Sequence, residues 1–184
     1  MNLQQYRECA SKTESVPSDI SIDVNNLTAI LRIIEIASNM LDKYKKQMFY
    51  KREMSENIIN AGLNEINRVV WNHQSDASSL TITDQTVIRM LHSMIGSITE
   101  TGGEIAPLIT QLIQTGDTDI VNLKEEYGDV LWYIDRGLDT VGQTIDECLD
   151  VNIEKLSARY PNGFFENIRA NVRDLEVERT ILEQ

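Results

Sequence analysis

Apolar residues return at three- and four-residue steps along almost the whole chain, and that rhythm decides what it can fold into. An α-helix turns once in about 3.6 residues, so such spacing lines one face with hydrocarbon and leaves the other to water. No strand-length stretch alternates β-branched with polar residues cleanly, and the 9 Gly and 3 Pro interrupt the pattern in only a few places. The expectation is an all-α fold, an antiparallel helical bundle with nearly everything outside the turns in helix.

The first helix is expected over Leu3–Ser11, followed by a loop over Thr13–Asp23, where Pro17 and several Ser and Asp residues break the pattern. A second helix over Asn25–Phe49 carries the stripe Leu27, Ile30, Leu31, Ile34, Leu41, Tyr44 and Met48. Lys43, Lys45 and Lys46 lie near its C-terminal end, where positive charge suits the helix dipole. A third helix is expected over Ser55–Asn72, then a polar break over His73–Leu80. The fourth, Thr83–Gln114, contains Gly102, Gly103 and Pro107. Two interior glycines cost about 2 kcal/mol against alanine, and Pro107 has no N–H for the carbonyl of Gly103, so a kink is expected there. Beyond a turn at Thr115–Asp117 come helices over Thr118–Val141 and Thr144–Arg159, a stop at Pro161, Asn162 and Gly163, and a charged helical tail over Phe165–Leu182. The expected organisation is one domain over residues 1–184, with segments at 24–76, 83–164 and 165–184.

A chain of 184 residues can bury a sizeable core. Its formal net charge of −12 repels nucleic-acid backbones, so a nucleic-acid-binding role is not expected. A small anionic ligand is still admitted, because it needs only a local pocket of positive charge or metal. Cys9 and Cys148 form no CxxC pair, so neither a disulfide framework nor a zinc site is expected. The segment MNLQQYRECASK lacks the apolar stretch of a signal peptide. No window approaches the roughly 18 apolar residues of a membrane span. A cytoplasmic protein without a membrane partner is the expectation.

Against this background, four acids stand out. Glu100 and Glu104 are four residues apart and share a helix face; Glu126 and Asp129, three apart on the next helix, share another. Two helices joined by a short loop pack antiparallel, and facing each other they bring four carboxylates to one place. Packed like charges need neutralising, and a hard divalent cation with an all-oxygen shell does it, Mg²⁺ or Mn²⁺ fitting best. Asp129 is flanked by Val130, Leu131 and Trp132, which points inward rather than to solvent. Glu125 lies at another angle, exposed or assisting the site. Further on, Asn152, Lys155 and Arg159 step by three and four along one face and Tyr160 follows, a set suited to phosphate oxygens or, more plainly, to a solvated surface.

Two helix pairs look alike. NEINRVVW, Asn64 to Trp71, lines up with EEYGDVLW, Glu125 to Trp132, and Glu35 takes the place of Glu100. Tandem repeats by duplication are one reading; two unrelated amphipathic helices are the other. Under the first, Asn39 replaces Glu104 and Arg68 replaces Asp129, so the earlier copy has lost its cation site.

The segments TETGGEI (Thr99–Ile105), EEYGDVLWYI (Glu125–Ile134), VNIEKLSARYPNGF (Val151–Phe164) and RDLEVERTILE (Arg173–Glu183) together resemble the MazG-like all-α nucleoside triphosphate pyrophosphohydrolases, whose pattern is EExxE on one helix and ExxD on the next. The resemblance covers about Met90 to Glu183. It implies the all-α bundle of that type and Mg²⁺-dependent hydrolysis of a (deoxy)nucleoside triphosphate to monophosphate and pyrophosphate. It implies metal ligation by Glu104, Glu126 and Asp129 and a metal-assisting or water-activating role for Glu100, with Glu125 the other candidate for the water. It implies phosphate contacts from Asn152, Lys155, Arg159 and Tyr160. A homodimer is the expected assembly because homodimers are common, although a duplicated chain would need no partner. One position departs: Thr101 stands where the pattern has a second Glu that usually ligates metal. A neutral hydroxyl is a weaker ligand, so a weakened relative that only binds nucleotide or a protein partner is the alternative, and a plain helical interaction domain a third.

Overall fold

The computed structural model describes residues 1–53, 57–73 and 78–183. It is mostly helical. In chain order the elements are α1 (Leu3–Ala10), β1 (Ile20–Asp23), α2 (Val24–Tyr50), α3 (Ile58–Asn72), β2 (Ser79–Ile82) and α4 (Gln85–Thr99). A π-helical turn (Glu100–Ile105) follows, then α5 (Ala106–Thr115), α6 (Ile120–Thr140), α7 (Ile145–Arg159), α8 (Asn167–Asn171) and α9 (Leu175–Leu182). Among the described residues, no helix is long and apolar enough to cross a membrane. Cys9 and Cys148 are both free.

Where the sequence suggests one domain, backbone contacts group the chain into two compact units: Met1–Ile20 with Ile82–Asp150, and Ser21–Thr81 with Val151–Gln184. In the first, α4 packs on α6 at very close range. Gly96 makes this approach feasible, because a Cβ there would lie 2.1 Å from Cε1 of Tyr133. One turn on, Gly137 accepts the Ser93 side chain in the same manner. Behind the contact lies a network of charges. Asp135 and Arg136, 1% and 2% exposed, pair with each other. Arg7 of α1 donates to Asp135 at 3.1 Å, and Arg89 of α4 donates to Glu14 at 2.7 Å and Asp139 at 2.7 Å. These bonds, with Trp132 Nε1 donating to Thr13 at 3.0 Å, fix α1 and the segment after it to the α4–α6 pair.

In the second unit α2 packs on α3, with Ile36 and Ile58 buried and Gly62 leaving space for Met40. β1 and β2 form a two-stranded sheet at the start of α2. The end of α7 is tied to α9 by Glu178, which takes two bonds of 2.8 Å from Arg159 and is paired with Arg173 as well. Tyr50 and Tyr160 both pack on Phe165, at 5.4 and 5.7 Å between ring centres.

Several expectations are corrected. β1 and β2 fall where only a loop and a polar break were expected; ISID and SLTI do alternate, but over four residues, too few to stand out from the helical rhythm. The fourth helix is not one helix kinked at Pro107. It begins at Gln85, where the Asp84 carboxylate accepts the N–H groups of Thr86 and Val87, widens into the π turn over Glu100–Ile105, and resumes as α5. Pro107 then sits in the first turn of α5, where a missing N–H is well tolerated. The tail is two short helices rather than one: Asp174 accepts the N–H of Val177 and starts α9 afresh. The start of α3 expected at Ser55 and part of the break after His73 lie outside the described residues.

Candidate metal centre

Glu126 and Asp129 lie one turn apart on α6, and α6 packs against α4 and the π turn that follows it. Glu100 is the first residue of that turn; its N–H is shared between the carbonyls of Gly96 and Ser97. The wider coil alters the register of the helix at the carboxylate, and π turns recur at functional sites. Gly102 and Gly103 fall inside it, with nothing within 4 Å of where a Cβ would stand. Their role is therefore not to avoid a clash; they leave the backbone surface beside the acids open.

Glu100, Glu126 and Asp129 each bring one carboxylate oxygen within 4.8 Å of the others. Oxygens on opposite sides of a Mg²⁺ ion with bonds of about 2.0–2.1 Å stand roughly 4.1 Å apart. Adjacent oxygens on such an ion stand only about 2.9 Å apart, so the three side chains would have to draw closer together to hold one ion between them. Within the group Glu126 is buried and Glu100 half-buried, but Asp129 is exposed rather than turned inward as its apolar neighbours suggested, because those neighbours lie at other angles around α6. Glu104 stands outside this group and is exposed, as is Glu125. Both still bear on the site. The Glu126 carboxyl is pushed above its ordinary range first by burial, then by the negative charges of Glu104, Glu100, Glu125 and Asp129. The Tyr133 phenol is raised by burial and by Glu100 and Asp129.

What sets Glu126 apart is that no described basic side chain pairs with it. Among the described residues the other buried carboxylates have arginine partners: Asp135 has Arg7 and Arg136, and Glu178 has Arg159 and Arg173. Glu126 is only 7% exposed and forms no ion pair with any described residue. A buried charge surrounded by like charge is costly unless something neutralises it. The donor set, all carboxylate oxygen, fits a hard divalent cation such as Mg²⁺ or Mn²⁺.

Thr101 does not join the cluster. Its hydroxyl donates back to the carbonyls of Ser97 at 2.7 Å and Ile98 at 3.2 Å. Asn152, Lys155, Arg159 and Tyr160 belong to the second unit. There the Arg159 guanidinium is engaged edge-on by Glu178 and lies 5.9 Å from the centre of the Tyr160 ring, while Asn152 and Lys155 are half-buried.

Tyr133 is the residue that sequence reasoning missed, although the signal was there: it lies four residues after Asp129, on the same face of α6. It borders a cavity of about 410 Å³ in the first unit, together with Pro17, His92, Ile95, Gly96 and Thr99. His92 and Tyr133, which line it, meet each other and Trp132 edge to face, 5.0–5.9 Å apart. Cavities of this size with mostly apolar walls suit small organic ligands. No known protein family, curated protein or solved structure matches this chain.

Proposed function

We propose that the chain is a Mg²⁺-dependent nucleoside triphosphate pyrophosphohydrolase, as its resemblance to the MazG-like all-α enzymes implies. The observation that carries the proposal is Glu126: a buried carboxylate that feels the charge of four other acids and has no arginine partner among the described residues, whose other buried carboxylates are paired. Glu100, Glu126 and Asp129 would hold the cation, with Glu104 near enough to add its charge. A cation held there would supply positive charge to a phosphate group and make water more acidic. Glu125, which is exposed, or Glu100 would accept a proton from attacking water. The open backbone at Gly102 and Gly103 leaves room for a bulky polyphosphate. The cavity at His92 and Tyr133 offers flat aromatic walls to the rest of the substrate. Lys155 and Asn152 remain candidates for phosphate contacts; Arg159 would first have to release Glu178.

Pyrophosphate release measured over a panel of ribo- and deoxyribonucleoside triphosphates tests this. Mg²⁺-dependent release that disappears in Glu126→Ala and Asp129→Ala is the expected result; no release from any nucleotide would sink the proposal. A second reading, a weakened relative that binds nucleotide without turning it over, draws support from Thr101, whose hydroxyl supplies no charge and is bonded to its own helix. Saturable nucleotide binding without product would favour it. A homodimer is also part of the proposal. Ile113 and Val121, on either side of the α5–α6 turn, are 79% and 78% exposed, and light scattering on the purified chain would show whether this apolar surface is covered by self-association.

A further inference from the structure

The α2–α3 pair in the second unit has the same register of acids as the helices that carry the cluster. Glu35 takes the place of Glu100, Glu65 that of Glu126, and Arg68 that of Asp129. One turn back along the first helix, the same register sets Arg32 against Ser97. The structure shows what that difference does. Arg32 Nη1 donates to Glu35 Oε2 at 2.7 Å and Nη2 donates to Glu65 Oε1 at 2.5 Å, so one guanidinium bridges the two helices' carboxylates. In the first unit Ser97 is too short to do this, and its hydroxyl is bonded to the carbonyl of Ser93 at 2.9 Å. No described cation stands between Glu100 and Glu126.

We propose that the α2–α3 pair is a second cation-holding site of the same design, whose cation is built into the chain: the Arg32 guanidinium takes the place that a divalent metal would take in the first. The charges support the assignment. Glu35 and Glu65 are both paired with Arg32, and Arg68, one turn after Glu65, adds a further positive charge without an ion pair to any described residue. Glu100, Glu126 and Asp129 have no such balance. A planar guanidinium with donors along two edges can serve two carboxylates at once, which a lysine ammonium does less rigidly. The groove of about 580 Å³ that Arg32, Glu65 and Arg68 border is thereby closed to metal ions, so that of these two helix pairs only the one with Glu126 would hold a metal. This rests on the reading of the Glu126 cluster as a metal centre, which supplies the design being compared.

Counting bound Mn²⁺ by electron paramagnetic resonance tests it in both directions. Arg32→Ser combined with Arg68→Asp restores the acidic set at an exposed place and should bind one Mn²⁺ per chain more than the wild type. Ser97→Arg should carry a guanidinium between Glu100 and Glu126 and lose the first-centre Mn²⁺, while Ser97→Gln, without the charge, keeps it. An unchanged count in the double variant, with wild-type helical circular dichroism, overturns the proposal; so does a Ser97→Arg chain that binds Mn²⁺ as the wild type does. If the double variant fails to fold, the Ser97 pair decides. A wild type that binds no Mn²⁺ defeats the metal reading of the first centre, and the gain in the double variant is still read against that baseline.

Discussion

Replacing Gly96 by alanine should destabilise the protein, although alanine is the better helix former. A Cβ at this position would lie 2.1 Å from Cε1 of Tyr133 and 2.3 Å from Cδ1 and Cζ. Carbon atoms pack at about 3.5–4.0 Å, so ring or helix must shift by roughly 1.4 Å. Tyr133 has little freedom to turn away, because His92 and Trp132 stand at its edges, 5.5 and 5.0 Å between ring centres. Overpacking of this kind costs about 1–3 kcal/mol, and alanine returns about 0.8–1.0 kcal/mol in helix propensity. The net loss is about 1–2 kcal/mol at the upper part of that range. Gly128 on α6 is the control, with nothing within 4 Å of its added Cβ, so Gly128→Ala should gain about 1 kcal/mol. At about 2–4 °C per kcal/mol for a chain of this length, calorimetry should separate the two variants by about 4–12 °C. Tyr133→Ala makes room, so adding Gly96→Ala to it should cost nothing further. A Gly96→Ala protein that melts at or above the wild type would refute the close approach of α4 and α6, and with it the placement of Tyr133 beside the acids.

Two further outcomes are expected. Glu178 is held at a pKa of about 2 by its bonds to Arg173 and then Arg159, against the opposing effect of burial. A carboxyl whose folded pKa lies below its unfolded value stabilises the fold above the unfolded value and loses that contribution as pH falls through the folded one, so stability of the α7–α9 clamp should fall between about pH 4.5 and 2. Glu178→Gln, followed by chemical denaturation at pH 7, should cost about 2–3 kcal/mol, less than a fully buried pair because Arg173 is 43% exposed and can turn to water; an unchanged midpoint would contradict the clamp. Thr101→Glu should tighten Mn²⁺ binding and raise the rate of pyrophosphate release, since it returns a carboxylate to the position where the resembling family has one. A lower rate with looser binding would show that this side chain cannot turn from its own helix to the cluster.

Much of this arrangement was legible in the spacing of residues. Steps of three and four placed Glu126 and Asp129 on one face of α6, and the same arithmetic, carried four residues further, would have added Tyr133. The π turn was not legible. Gly102, Gly103 and Pro107 say that a helix is weak there, but whether it kinks or widens depends on how α6 packs against it. β1 and β2 were hidden by their length, and the break before α9 by the charged, helix-like run around it, in which Asp174 acts as a cap rather than as one more surface acid. The expected phosphate face shows the limit of reading charge from sequence. Arg159 looks free on a helical wheel, yet Glu178, nineteen residues on, holds its guanidinium. Arg32 makes the same point from the other side, because only the fold brings Glu65 to it.

The most direct test of the metal centre is a Mn²⁺ titration of the wild type beside Glu126→Gln, which keeps the shape of the side chain and removes its charge. A saturable site in the wild type that is lost or greatly weakened in the variant is the predicted result. Equal binding by both proteins, or none by either, would contradict the proposal that a divalent cation serves Glu126 as arginines serve the other buried carboxylates among the described residues.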